Sequence, residues 1–134
     1  MTSQGSPYGR FRRALERRQP MAALSAAAEL RHVALTDALE LVLLLRDRDP
    51  ARYARAALRW HGRLCREVPG LTLNEAAAVL ALLGAMGEEN ERAAALALAE
   101  LLRGFELDQP ARILIRWADA APSGPTDDLV TRRA

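Results

Sequence analysis

The residues from Asp49 to Val68, DPARYARAALRWHGRLCREV, restrict the fold of this chain more than any other stretch. At about 100° per helical residue, Tyr53, Ala54, Ala57, Leu58, Trp60, His61, Leu64, Cys65 and Val68 share one broad side. Arg52, Arg55, Arg59, Arg63 and Arg66 share the other, at spacings of 3, 4, 4 and 3. A helix sorted in this way lies on a core with its arginines outward. Asp49 followed by Pro50 reads as its start. The Asp carboxylate can accept from the first unpaired backbone N–H groups, and Pro loses no hydrogen bond at the first helical position.

The rest of the chain repeats the theme. Hydrophobic residues make up 50% and aromatics only 4%, with Ala and Leu dominant and β-branched residues few, which favours helices over strands. Ser6-Pro7 opens a short basic helix running to about Arg18, and Pro20 opens a second, Met21 to about His32, packing through Leu24, Ala27, Ala28, Leu30 and Val33. Thr36 is the expected cap of a third, from Asp37 to about Arg46. Its LELVLLL run is apolar nearly all round, so it should be buried between others. Thr72 and Glu75 match a capping box for a fifth helix, through AAAVLALLGAM to about Met86. A sixth runs from Glu91 to about Arg103 and a seventh from Asp108 to about Ala120. Residues 1–6 read as a disordered start, 7–121 as one helical domain and 122–134 as a mobile polar tail.

An offset of 38 superimposes Ala38 on Ala76, Leu41 on Val79, Leu45 on Leu83, Ala57 on Ala95, Trp60 on Leu98 and Leu64 on Leu102. Each unit is then a buried helix, a polar turn and an amphipathic helix. Residues 11–33 would be a degenerate first unit, and the helix after Asp108 a half-unit cap. DPARYARAAL at 49–58 and ERAAALALAEL at 91–101 are similar to the second helix of HEAT units, so the chain resembles HEAT and armadillo repeats. That resemblance implies a scaffold that binds proteins, and sometimes nucleic acid, on stacked helices. The expected fold is all-α: about six to seven helices, as hairpins in a short α-solenoid or as a compact bundle.

Charge narrows the function. With 19 basic residues, all Arg, against 17 acidic ones, the net charge of +2 demands no nucleic acid. Arginine does suit carboxylate or phosphate partners, through its planar bidentate fork. One cysteine allows no intrachain disulfide and fits a reducing cytoplasm. No run of about 18 apolar residues offers a membrane span, and the N-terminus lacks the apolar run of a signal peptide.

No phosphate-cradling glycine loop, HExxH, cysteine cluster or nucleophile triad is present, so the expectation is a non-enzyme without cofactor. The leading reading is a protein–protein interaction or adaptor module. Its arginine face, Arg52, Arg55, Arg59, Arg63 and Arg66, would meet an acidic partner. The N-terminal Arg10, Arg12, Arg13 and Arg17 face a lone Glu16 and form a second candidate contact. The same two clusters carry the alternative, a nucleic-acid binder, although few aromatics are present to stack on bases. His61 and Cys65, four apart on one helix face, could furnish half a metal or redox site. The bland reading gives a hydrogen-bonded His beside a small buried thiol. Helices as apolar as Leu39–Leu45 and Ala76–Leu83 need cover on every side, which a homodimer would supply.

Overall fold

The computed structural model describes residues 6–120. The start read as disordered and the tail read as mobile lie outside these residues, except for Ser6. Ser6 belongs to the fold: its Oγ accepts from the Gly9 N–H at 2.8 Å and caps the first helix.

The described residues form seven α-helices and no strand. They are α1 (Pro7–Glu16), α2 (Pro20–Ala28), α3 (Leu35–Arg48), α4 (Tyr53–Glu67), α5 (Leu73–Met86), α6 (Glu91–Gly104) and α7 (Asp108–Ala120). Helices α3 to α7 pack in chain order, each on the next, and α7 returns to α3. Together they enclose one core, built around Leu39 of α3, Trp60 and Leu64 of α4, Leu83 and Met86 of α5, Leu98 and Leu102 of α6 and Leu114 of α7. Each buried leucine contributes roughly 1.5–3 kcal/mol over its exposed state, so the apolar stripes decide which faces turn inward. This closed neighbour order is that of a compact bundle, and no feature of it is specific to HEAT or armadillo units.

The α1–α2 hairpin packs on α3 and carries a smaller cluster: Phe11, Ala14, Leu15, Ala23 and Ala26 against Leu44. Helix α3 therefore has α1, α2, α4 and α7 around it. Its Val42, Leu43, Leu44 and Leu45 are all buried, as the LELVLLL run requires.

Local signals held unevenly. The Thr72 capping box forms in full, with Glu75 N–H donating to Thr72 Oγ1 at 3.1 Å and Thr72 N–H to Glu75 Oε1 at 2.9 Å. Asp49 does not cap α4. Pro50–Arg52 forms a 3-10 turn first, and the Asp49 carboxylate pairs with Arg52 instead. Thr36 does not cap α3 either, since α3 begins one residue earlier, at Leu35. Helix α2 stops at Ala28, four residues short of the expected end, and buries Ala23 and Ala26 rather than Ala28. Two non-glycine residues take left-handed backbone, Arg18 (φ 56°) and Glu106 (φ 66°). Each follows a helix whose last turn closes on the next residue, Gln19 N–H to Ala14 O and Leu107 N–H to Leu102 O, both at 2.9 Å.

Candidate protein-interaction face

Three hydrogen bonds fix how α4 is rolled. Trp60 Nε1 donates to Leu35 O of α3 at 2.9 Å, Tyr53 Oη donates to Leu83 O of α5 at 2.6 Å, and His61 Nε2 lies 2.8 Å from Ala76 O of α5. Tyr53 is buried, and desolvation pushes its phenol up to about 12 against a weaker lowering influence from Arg46. With these three groups turned inward, the arginine side of α4 must face out.

The stripe is not uniform. Arg52 is held by Asp49 at the start of the helix. Arg63 reaches one turn forward to Glu67, its Nε donating at 2.9 Å. Its Nη2 sits at 2.9 Å from the same oxygen but off the hydrogen-bonding angle, and is otherwise buried. Arg55, Arg59 and Arg66 between them are exposed, and among the described residues none of the three forms an ion pair. The accessible part of the candidate face is therefore these three guanidinium groups.

The N-terminal candidates behave differently. Arg12 reaches Asp37 at 3.0 Å and Glu40 at 2.6 Å on α3, and the bond to Glu40 raises its already high pKa. Arg10 pairs with Glu29 at 2.6 Å, and Arg18 with Asp47 at 2.8 Å. The cluster that looked one-sided in sequence is thus largely the clamp that fastens α1 to α2 and α3. Arg13 is half-buried, and Arg17 is exposed at the end of α1.

The apolar side of α4 is narrower than its spacing predicts. Ala54, Leu58 and Cys65, expected on the core side, are exposed, with Leu58 at 59%. Coverage by α5 reaches His61 and stops there, because α5 shields one edge of α4 and no other helix among the described residues lies beyond it. Helix α5 departs further. The cover that Ala76–Leu83 needs is not supplied by the described residues: Leu80 is 41% exposed and Ala77 and Ala81 are open, as are Leu73 (89%) and Gly84 on either side. Among the described residues it packs on α4 and α6, and beyond them meets only the Arg46 side chain of α3, at Met86 O. A sequence signal for this existed: from Leu73 to Met86 the sole charged residue is Glu75, so the helix has no polar face to turn outward.

His61 and Cys65 do lie together, with Sγ 3.7 Å from Nε2 and 4.0 Å from Nδ1. Cys65 is exposed, not the buried thiol expected. The His61 Nε2–H donates to the Ala76 carbonyl, so this nitrogen serves the α4–α5 contact. Among the described residues no three His, Cys, Asp or Glu side chains converge into a metal-holding group.

A concavity of about 630 Å³ lies between α1, α3 and α7. Leu15, Leu43, Leu44, Ile113 and Trp117 line it, with Arg18, Arg48 and Arg116 among its polar residues. Asp47 occupies one wall, accepting from both Arg18 and Trp117 Nε1. No helix among the described residues is long and apolar enough to cross a membrane. Comparison with protein-family models, curated proteins and solved structures finds no match to this chain.

Proposed function

We propose that the protein is a non-catalytic interaction module whose α4 arginine face binds an acidic surface of a protein partner. One observation supports the reading above the others. Arg10, Arg12, Arg18, Arg46, Arg52, Arg63, Arg92 and Arg103 pair with carboxylates of the chain. Arg17, Arg31, Arg48, Arg112 and Arg116 form no ion pair among the described residues but are spread over other parts of the fold, whereas Arg55, Arg59 and Arg66 lie unpaired on one side of one helix, with the paired Arg63 among them. A partner that supplies carboxylates to these unpaired guanidinium groups gains bidentate, charge-assisted hydrogen bonds. The nucleic-acid alternative needs the N-terminal arginines as well, and Arg10 and Arg12 already serve α2 and α3.

The test is a pull-down with the full chain and with the double substitution Arg55→Glu, Arg59→Glu. Both sites are exposed, so the variant should fold like the parent while losing its captured partners. Recovery of the same partners by parent and variant would exclude the arginine face as the contact. Capture that collapses on nuclease treatment and weakens steeply with salt would favour the nucleic-acid alternative.

A further inference from the structure

The arginine row has an apolar neighbour that the charge pattern alone does not reveal. Exposed large hydrophobic side chains number five among the described residues, and three of them, Leu58, Leu73 and Leu80, belong to α4 and α5. The bonds from Tyr53 to Leu83 O and from His61 to Ala76 O run the two helices antiparallel and fix their register. That register sets Leu58 opposite the turn of α5 that carries Leu80. Around α4, at about 100° per residue, Leu58 lies between His61, which meets α5, and Arg55, which leads into the arginine row. One surface thus runs from the open small residues of α5, over Leu80 and Leu58, to a cationic edge on α4.

We infer that this α4–α5 surface docks an amphipathic helix of another protein, one with an apolar stripe flanked along a single edge by carboxylates. The inference rests on the α4 arginine face being the contact and adds the shape and polarity of what binds there. The exposed small residues of α5, Ala77, Ala81 and Gly84, leave room beside Leu58 and Leu80 for the ridge of an incoming helix. Cations border this surface on the α4 side alone, so an acidic row on one flank of the incoming helix matches them. A second copy presenting this same α4–α5 face does not supply that row. The carboxylates of α4 and α5 are Glu67, paired with Arg63, and Glu75, held in its capping box. A lipid surface is laterally uniform and favours cations on both borders of an apolar strip, unlike the one-sided border here.

The experiment titrates the full chain with a synthetic helical peptide as long as α5, bearing leucines on one face and glutamates along one flank. A second peptide has the same composition with its leucines dispersed, and a third has lysine in place of glutamate. The first should bind, and both others should bind at least about tenfold more weakly. The double substitution Leu58→Gln, Leu80→Gln, at sites already exposed to water, should weaken the first peptide by a similar factor, with the helical circular dichroism unchanged. Equal binding of the dispersed peptide, or indifference to the leucine substitutions, overturns the docked helix while leaving the arginine face standing. Binding that depends on the leucines but survives Arg55→Glu, Arg59→Glu overturns the acidic flank together with the arginine reading. Failure of the first peptide to bind overturns the proposal. Phosphatidylserine vesicles then retaining the chain, or self-association abolished by Leu80→Gln, would identify lipid or a second copy as the occupant.

Discussion

The α3–α4 and α5–α6 hairpins are matched by the offset of 38 residues, yet they meet different surroundings. Their inner positions behave alike: Leu45 and Leu83 are each 1% exposed, and Leu64 and Leu102 are both fully buried. Their first helices diverge. Helix α3 has neighbours on several sides and buries Val42, whereas among the described residues α5 packs its length only on α4 and α6 and leaves the equivalent Leu80 open. Similar apolar sequences thus produce a core element in one place and an exposed apolar face in the other. The lesson is physical: hydrophobic patterning states which side chains would gain from cover, and only the packing of the remaining helices states which receive it.

The largest expected effect breaks this comparison most directly. Val42→Asp places an unpaired charge in the core and should cost about 3–5 kcal/mol, enough to unfold much of a marginally stable domain. Leu80→Asp, at the matched and 41% exposed position, should cost only about 1 kcal/mol, from lower helix propensity and partial burial. Urea denaturation of both variants decides the matter, and equal losses would mean that α5 is covered in solution.

Alkaline titration probes the junction of the two hairpins. The Tyr53 phenol titrates near 10 in the unfolded chain and near 12 in the folded one. Its contribution is intact below pH 10, and stability falls as the pH climbs from 10 to 12, by up to about 2 kcal/mol. Tyr53→Phe should flatten that decline while losing the bond to Leu83 O, worth about 1 kcal/mol at neutral pH. An unchanged alkaline slope in the Phe variant would assign the decline to another group.

Arg46 marks a further asymmetry, since the matched position in the second hairpin is Gly84. Its Nε donates to Met86 O at 2.7 Å and its Nη2 to Glu91 at 2.6 Å, so it ties the end of α3 to the α5–α6 turn. Arg46→Met leaves both acceptors without this donor and should cost about 1–3 kcal/mol by thermal or chemical denaturation. The smallest effect separates the helix starts: Thr72→Ala removes a working cap, for about 1 kcal/mol, and Thr36→Ala removes none and should be nearly silent.

Much of the architecture was legible in residues alone. The seven helices follow from capping signals, prolines and apolar spacing, and the inner faces of α3, α4 and α6 from Leu and Trp at helical intervals. Ends were less legible, because a residue able to cap also has other bonds open to it. Asp49 closes on Arg52, and α3 starts before Thr36 can act. The candidate face was half legible. Arginine spacing located the outward side of α4, but could not separate Arg52 and Arg63, which have acidic partners within reach, from Arg55, Arg59 and Arg66, which have none among the described residues. Pairings across 19 to 29 residues, such as Arg10 with Glu29 and Arg18 with Asp47, exist only once the helices pack. Leu58 and Leu80 were hidden for the same reason.

The return of α7 to α3 bears on how the molecule comes apart. An open row of helical pairs can unravel from either end, each pair contributing its own share to stability. Here the indole of Trp117 is bonded to Asp47, 70 residues earlier in the chain, and the seam between α3 and α7 leaves the row without a loose terminus. Melting should then be a single concerted step rather than piecemeal fraying. Refolding must wait for that distant closure, which makes it slower than local helix pairing by itself would allow.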